Sequence, residues 1–123
     1  MIRKLKIAAA LLLALMVPAA AETWRVIDGD TIIHHGQTIR IMGLDAPELH
    51  PRCTAEAVMA AQARARLAEL LAEGFTVEPH GQDRYGRVLA VVRTARGLDV
   101  AHVMISEGLA RRYDGRGPRQ PWC

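Results

Sequence analysis

Short apolar runs separated by turn signals fill the chain after residue 22. Residues 24–28, 31–35 and 37–42 are rich in apolar and β-branched side chains, which is typical of strands. Asp28-Gly29 stands between the first two runs and is a strong signal for a hairpin turn, and His35-Gly36 is a weaker one. The pattern therefore predicts three consecutive strands joined by tight turns.

The next part of the chain has the composition of a long helix. Residues 55–73 carry Leu67, Leu70, Leu71 and several alanines on one face, with Thr54 as a predicted N-cap and Gly74 as the predicted end. Residues 75–78 and 87–93 predict two further strands.

A second, shorter helix is predicted near the C-terminus. Asp99 caps it, Val100, Val103 and Met104 give it an apolar side, and Gly108 ends it. Five strands with a helix between the third and fourth predict an α+β fold, a five-stranded Greek-key barrel of the oligonucleotide/oligosaccharide-binding type.

The N-terminus has the composition of a secretory signal peptide. Arg3, Lys4 and Lys6 precede an apolar run over residues 7–17, and small residues end it at Ala21. The run is short for a membrane span, although an uncleaved anchor is the alternative. We therefore expect a signal peptide at 1–21, one mature domain at 22–123, a periplasmic or secreted location, and no stable membrane association after cleavage.

Removing the signal peptide changes the charge. The full chain has 16 basic and 13 acidic residues, and three of the basic residues lie before residue 22, so the mature net charge is near zero. Overall basicity is then no argument for nucleic-acid binding. Arginines do crowd the C-terminal end, namely Arg111, Arg112, Arg116 and Arg119. They suit phosphate binding, or they reflect a general preference for arginine codons.

Three segments carry side chains of a hydrolytic site. They are Asp28-Gly29-Asp30-Thr31, the stretch RIMGLDAPE from Arg40 to Glu48, and Asp83-Arg84-Tyr85-Gly86-Arg87. Carboxylates can hold a hard cation, a further carboxylate can act on water, and two guanidinium groups can bind phosphate. These are the parts needed to hydrolyse a phosphodiester.

In these segments the chain resembles the staphylococcal nuclease-like (thermonuclease) family, and Gly108-Leu109-Ala110 extends the likeness. The order and approximate spacing agree from about residue 24 to about residue 113. The resemblance implies the same barrel fold and a Ca²⁺-dependent nuclease. It would cleave single-stranded or frayed DNA and RNA and leave 3′-phosphates. We expect a monomer.

The resemblance also implies residue roles. One Ca²⁺ ion would be held by Asp30, Asp45 and the backbone carbonyl of Ala46. Arg40 and Arg87 would bind the scissile phosphate, and Glu48 would be the general base. Tyr85 and Tyr113 would contact the nucleotide. Gly43 could break strand alternation so that Arg40 and Asp45 reach one side.

Plainer interpretations stay open for these residues. Asp28 and Asp30 alone would suit an ordinary hairpin turn, and Arg40 or Arg87 a solvated surface. Two other kinds of protein are possible, a noncatalytic nucleic-acid-binding module of the same fold or a secreted interaction protein with a decayed site. The presence of all of Arg40, Asp45, Glu48 and Arg87 favours the enzyme.

The two cysteines, Cys53 and Cys123, are predicted to form a disulfide. Export to an oxidising compartment favours a bridge over free thiols. Such a bridge would tie the C-terminal tail beside the loop that follows Glu48.

Overall fold

The computed structural model describes residues 23–123, so the predicted signal peptide at 1–21 lies outside the described residues. The elements in chain order are β1 (Trp24–Asp28), β2 (Thr31–His34), β3 (Gln37–Ile41), β4 (Gly43–Asp45), α1 (Thr54–Ala72), β5 (Phe75–Gln82), β6 (Val88–Thr94), α2 (Val100–Ser106) and β7 (Arg111–Tyr113). Within 23–123, neither helix is long and apolar enough to cross a membrane.

Five of the strands form one sheet in the order β1-β2-β3-β6-β5. All neighbours are antiparallel except β3 and β6, which run parallel. These are the five predicted strands, and β5 continues to Gln82, beyond its predicted end. The α+β arrangement is therefore confirmed. The sequence did not predict β4 and β7, which pair with each other as a separate two-stranded sheet.

The sheet is not closed into the predicted barrel. Strands β1 and β5 lie at its two edges and share no backbone pairing within the described part of the chain. Side chains make the contact between the edges: the Trp24 and Phe75 rings meet edge to face at 5.6 Å, and the His34 ring lies 5.0 Å from Phe75. Aromatic packing thus takes the place of a backbone ladder at this seam.

Both predicted hairpin turns form, for different reasons. His35 and Gly36 have positive φ angles of 49° and 77°, as a two-residue turn between β2 and β3 requires. Gly29 does not have a positive φ. A Cβ atom there would lie 2.8 Å from the Cβ atoms of both Ala46 and Ala63, so close packing requires glycine. This contact brings the β1–β2 turn against β4 and α1.

Helix α1 packs one stripe of small and aliphatic residues into the core. Ala60, Ala63, Leu67 and Leu71 are buried at helical spacing, and each leucine contributes about 1.5–3 kcal/mol by burial. Thr54 is the first helical residue, not the N-cap. Cys53 is the cap, because its backbone is extended and its Sγ accepts from the Glu56 N–H.

The C-terminal tail, residues 114–123, follows β7 and returns to the start of α1. Cys53 and Cys123 lie at disulfide distance, with Cα atoms 6.1 Å apart. The Arg111 guanidinium covers the Trp122 ring at 3.7 Å and donates to the Gln120 and Pro121 carbonyls. We call residues 114–123 the strap.

A bridge between Cys53 and Cys123 should contribute substantially to stability. It closes a loop across 70 residues, worth roughly 4 kcal/mol in the chain-entropy description. Nonreducing mass analysis of exported protein should give two hydrogens fewer than the reduced form. Reduction should lower the melting temperature by roughly 15 °C or more. Two freely alkylated thiols in oxidised, exported protein would contradict the bridge.

Candidate nucleic-acid hydrolysis site

Six of the predicted site residues line one cleft of about 1410 Å³. It lies where the β1–β2 turn, β3, the β5–β6 turn and β7 come together. The predicted residues that line it are Asp30, Arg40, Glu48, Tyr85, Arg87 and Tyr113. Asp45 lines a neighbouring cavity of about 600 Å³, and Glu48 and Arg119 line both.

Asp30 is a buried carboxylate with only 4% of its surface exposed. Its Oδ2 accepts from the Ala46 N–H at 2.9 Å, and its Oδ1 accepts from the Thr31 hydroxyl at 2.9 Å. The structure therefore places Ala46 directly against Asp30 through its N–H. The role of the Ala46 carbonyl as a metal ligand stays a prediction.

Arg40 joins the two predicted metal-binding aspartates. Its Nη2 lies 3.4 Å from Asp30 Oδ2 and 3.9 Å from Asp45 Oδ1, and all three residues are buried. Its Nη1 also donates to the Ile41 carbonyl at 2.8 Å. Gly43, with a φ of 94°, lets the chain leave β3 and enter β4, so that Arg40 and Asp45 reach the same side.

Three carboxyl groups, those of Asp28, Asp30 and Asp45, lie in this cluster with Arg40. Burial raises the pKa of Asp28 to about 8, with Asp30 adding to the effect. Burial and Asp30 also raise the pKa of Asp45 above its ordinary value, although Arg119 and Arg40 oppose the shift. A cation would relieve the repulsion among these carboxylates.

The raised pKa of Asp28 predicts a pH-dependent stability. The pKa of this carboxyl in the folded protein lies above its ordinary 3.8, so its stabilising contribution is complete below pH 3.8. The contribution is lost as the pH rises through about 8. In chelator, the melting temperature of the wild type should therefore fall more steeply between about pH 4 and pH 8 than that of Asp28→Asn. Parallel profiles for the two proteins would contradict this assignment.

Glu48 is held at the cleft by its backbone and its carboxylate. Its N–H donates to Oε1 of the buried Glu56, whose Oε2 accepts from the Arg52 N–H, so Glu56 ties down the loop between β4 and α1. The Glu48 carboxylate pairs with Arg119 Nη1 at 2.5 Å. About 41% of the Glu48 side chain stays exposed, which leaves it open to water.

Arg87 is oriented by Asp83 within the β5–β6 turn. Asp83 Oδ2 accepts from Arg87 Nε at 2.7 Å, and Oδ1 accepts from the N–H groups of Tyr85 and Arg87. Burial raises the pKa of Asp83, but the hydrogen bonds from Arg87 and Tyr85 outweigh it and hold the pKa below the ordinary value. The Asp83 contact uses Nε and does not consume the two terminal nitrogens of Arg87.

The two predicted nucleotide-binding tyrosines differ in their surroundings. Tyr85 is 69% exposed at the rim, with the Arg84 and Arg87 guanidinium groups 4.9 and 5.6 Å from its ring centroid. It is available for stacking. The Tyr113 hydroxyl donates to the Gly117 carbonyl at 2.6 Å. Tyr113 thus holds the strap as well as lining the cleft.

Sequence reasoning missed three residues that organise the site, namely Glu56, Asp83 and Arg119. The sequence groups Arg119 with the other C-terminal arginines, as phosphate-binding groups or a codon preference, yet its Nη1 contacts both Asp45 and Glu48. A signal for it was present. Cys123 follows Arg119 by four residues and Cys53 follows Glu48 by five, so a bridge between the cysteines brings the two segments together.

The donor set fits the implied Ca²⁺ ion. Asp30 and Asp45 are buried, supply hard oxygen ligands and lie near a third carboxyl group, that of Asp28. Within residues 23–123, the one group of three potential ligand side chains whose donor atoms lie within 4.8 Å of one another is Cys53, Glu56 and Cys123. Its sulfurs lie at bonding distance from each other, so they are not free to bind a metal.

Residues 38–121, more than half of the chain, match the model of a family described as staphylococcal nuclease homologue. The matched range contains Arg40, Asp45, Glu48 and Arg87, whereas Asp30 lies before it. No curated protein matches the sequence.

Proposed function

Because the chain belongs to the staphylococcal nuclease homologue family, whose members are generally nucleases, we propose that it is a metal-dependent nuclease. It hydrolyses phosphodiester bonds of DNA and RNA. Single-stranded or frayed substrates suit the open cleft best, because the exposed Tyr85 ring can stack on an unpaired base.

One observation carries the proposal. Two buried aspartates, Asp30 and Asp45, lie within 3.9 Å of the same buried guanidinium, that of Arg40. Burying this much charge at one place is costly, because ions lose their hydration. A cleft that also holds Glu48 and Arg87 gives these charges a chemical use.

Each residue has a distinct task in the proposed reaction. Asp30, Asp45 and the Ala46 carbonyl would hold Ca²⁺, which when bound neutralises phosphate charge. Arg40 and Arg87 bind the nonbridging oxygens and stabilise the charge that builds in the transition state. Glu48 positions a water molecule and accepts its proton. Cleavage of the bond to the 5′ oxygen leaves a 3′-phosphate.

The proposal includes export. The basic, apolar and small-residue segments of residues 1–21 support cleavage after Ala21 and release to the periplasm or the medium. N-terminal sequencing of the protein recovered outside the cytoplasm tests this, and an intact Met1 in exported material would contradict it.

The function is tested with purified protein starting at residue 22. Single-stranded and duplex DNA and RNA are incubated with Ca²⁺, Mg²⁺ or chelator, and the product ends are identified. We expect Ca²⁺-dependent cleavage with 3′-phosphate ends. Asp45→Asn removes one charge that offsets the cation, so its metal requirement should rise. Full activity of Asp45→Asn in chelator would rule out the proposed metal site.

The same assay separates the enzyme from a noncatalytic nucleic-acid-binding module. A module would bind oligonucleotides in a gel-shift experiment without metal-dependent turnover. If the wild type shows no turnover, and oligonucleotide binding survives replacement of Glu48, the protein is a noncatalytic binding module.

A further inference from the structure

The strap is fixed to the body of the protein at several points. The Trp122 ring lies under Arg111, the Gly117 carbonyl accepts from Tyr113, and Cys123 meets Cys53 at disulfide distance. These contacts leave little freedom to the backbone of the residue between them, Arg119. The strap therefore presents one guanidinium at a defined place.

That place is the predicted cation site. Arg119 Nη1 lies 3.3 Å from Asp45 Oδ1 and 2.5 Å from Glu48 Oε1. Arg40 Nη2 lies 3.9 Å from the same Asp45 oxygen. The Asp45 side chain is 5% exposed and that of Arg119 is 47% exposed, so the guanidinium enters from solvent and caps a buried carboxylate.

A guanidinium and a divalent cation cannot both lie in close contact with Asp45 Oδ1. Their like charges repel, and at separations of a few Å this costs several kcal/mol at the dielectric constant of a protein surface. Arg40 cannot withdraw, because it is buried within β3 and donates to the Ile41 carbonyl. Arg119 is half-exposed and can swing into solvent.

We propose that Arg119 is a tethered counter-ion: it neutralises Asp45 and Glu48 until a divalent cation binds, and binding displaces it from Asp45. This rests on the proposed function for the assignment of Asp45 as a metal ligand. The tether sets the strength of the competition, because the Cys53–Cys123 bridge keeps the guanidinium at a high effective concentration. The cost of displacement lowers the apparent affinity for the cation.

The first test is Ca²⁺ titration of metal-stripped protein by calorimetry. Arg119→Gln removes the competitor, so it should bind Ca²⁺ at least about fivefold more tightly than the wild type. Arg116→Gln is the matched control. It removes the same charge from the same strap at an exposed residue outside the cleft lining, and its affinity should equal that of the wild type. Equal or weaker Ca²⁺ binding by Arg119→Gln would overturn the proposal.

The second test removes the tether. In the Cys53→Ser, Cys123→Ser double variant, Ca²⁺ affinity should rise toward that of Arg119→Gln. Adding Arg119→Gln to the double variant should then have a much smaller effect than it has in the wild type. An equally large effect of Arg119→Gln with and without the bridge would show that the strap does not position the guanidinium.

The third test needs no metal. In chelator, the melting temperatures of Arg119→Gln, Asp45→Asn and their combination form a double-mutant cycle. Nonadditive shifts are expected, because the second substitution removes a contact that the first has already broken. Additive shifts would show that the Arg119–Asp45 contact does not form in solution.

The tests distinguish this proposal from the proposed function. If neither wild type nor Arg119→Gln binds Ca²⁺, the assigned metal site fails and displacement by Ca²⁺ fails with it. The cycle in chelator still decides independently whether Arg119 is the counter-ion of Asp45. If wild type cleaves nucleic acid with Ca²⁺ and Arg119→Gln shows unchanged affinity, the nuclease assignment stands and the counter-ion proposal is wrong.

Discussion

Replacing Arg87 with lysine is expected to lower the single-turnover cleavage rate by roughly 10²–10³ while changing substrate affinity much less. Lysine keeps the positive charge but loses the planar fork that meets two phosphate oxygens at once. It also loses Nε, through which Asp83 orients the group at 2.7 Å. Loss of an interaction that is made only in the transition state lowers the cleavage rate of bound substrate and leaves its binding largely unchanged.

The measurement pairs single-turnover cleavage with equilibrium binding at one salt concentration, because backbone affinity depends on salt. Arg84→Lys is the control. Arg84 lies in the same turn and is exposed, and Asp83 does not hold its side chain. If Arg87→Lys weakens binding but leaves cleavage of bound substrate unchanged, Arg87 only positions the substrate.

Replacing Glu48 with glutamine is expected to reduce the cleavage rate by roughly 10²–10⁴, the range for loss of a general base. The amide oxygen of glutamine can still accept from Arg119, and the backbone N–H at residue 48 still reaches Glu56. The loop should therefore keep its position. Oligonucleotide binding should persist because the proposed work of Glu48 is on water.

Glu78→Gln is the control for the charge change, since Glu78 is an exposed carboxylate on β5. A Glu48→Gln protein with the wild-type rate would remove Glu48 from the mechanism. If the Glu48→Gln protein loses oligonucleotide binding as well as cleavage, Glu48 acts through the position of the loop instead.

The local sequence pattern was sufficient to predict most of the fold. The five strands of the main sheet and both helices follow from apolar runs and turn residues. Strands β4 and β7 have three residues each, which is too short to carry a periodic pattern. Their pairing of Leu44 with Arg112 is set by tertiary contact. The open edge between β1 and β5 was equally invisible, because a sequence pattern does not specify which edge strands will pair.

The candidate site likewise divides into residues that the sequence predicts and residues that only the tertiary structure reveals. Asp30, Arg40, Asp45 and Glu48 come from two neighbouring segments and were predicted together, and the structure brings them together. Their catalytic and metal-binding roles remain predictions. Glu56 looked like an ordinary first-turn helix residue, and its task of holding the loop depends on how that loop folds back. Arg119 depends on a contact across 74 residues, which no local pattern reveals.

The parallel pairing of β3 with β6 has a consequence for the order of folding. Asp30 meets Arg40 across 10 residues and Ala46 across 16, so the acidic half of the site closes within a short stretch of chain. Arg87 reaches the cleft only after β6 has docked with Leu89 beside Arg40, and Arg119 spans a still longer loop. Closing longer loops costs more entropy and is slower. We therefore expect the nascent molecule to assemble the proposed cation-binding half of the site early and the proposed hydrolytic site as a whole last.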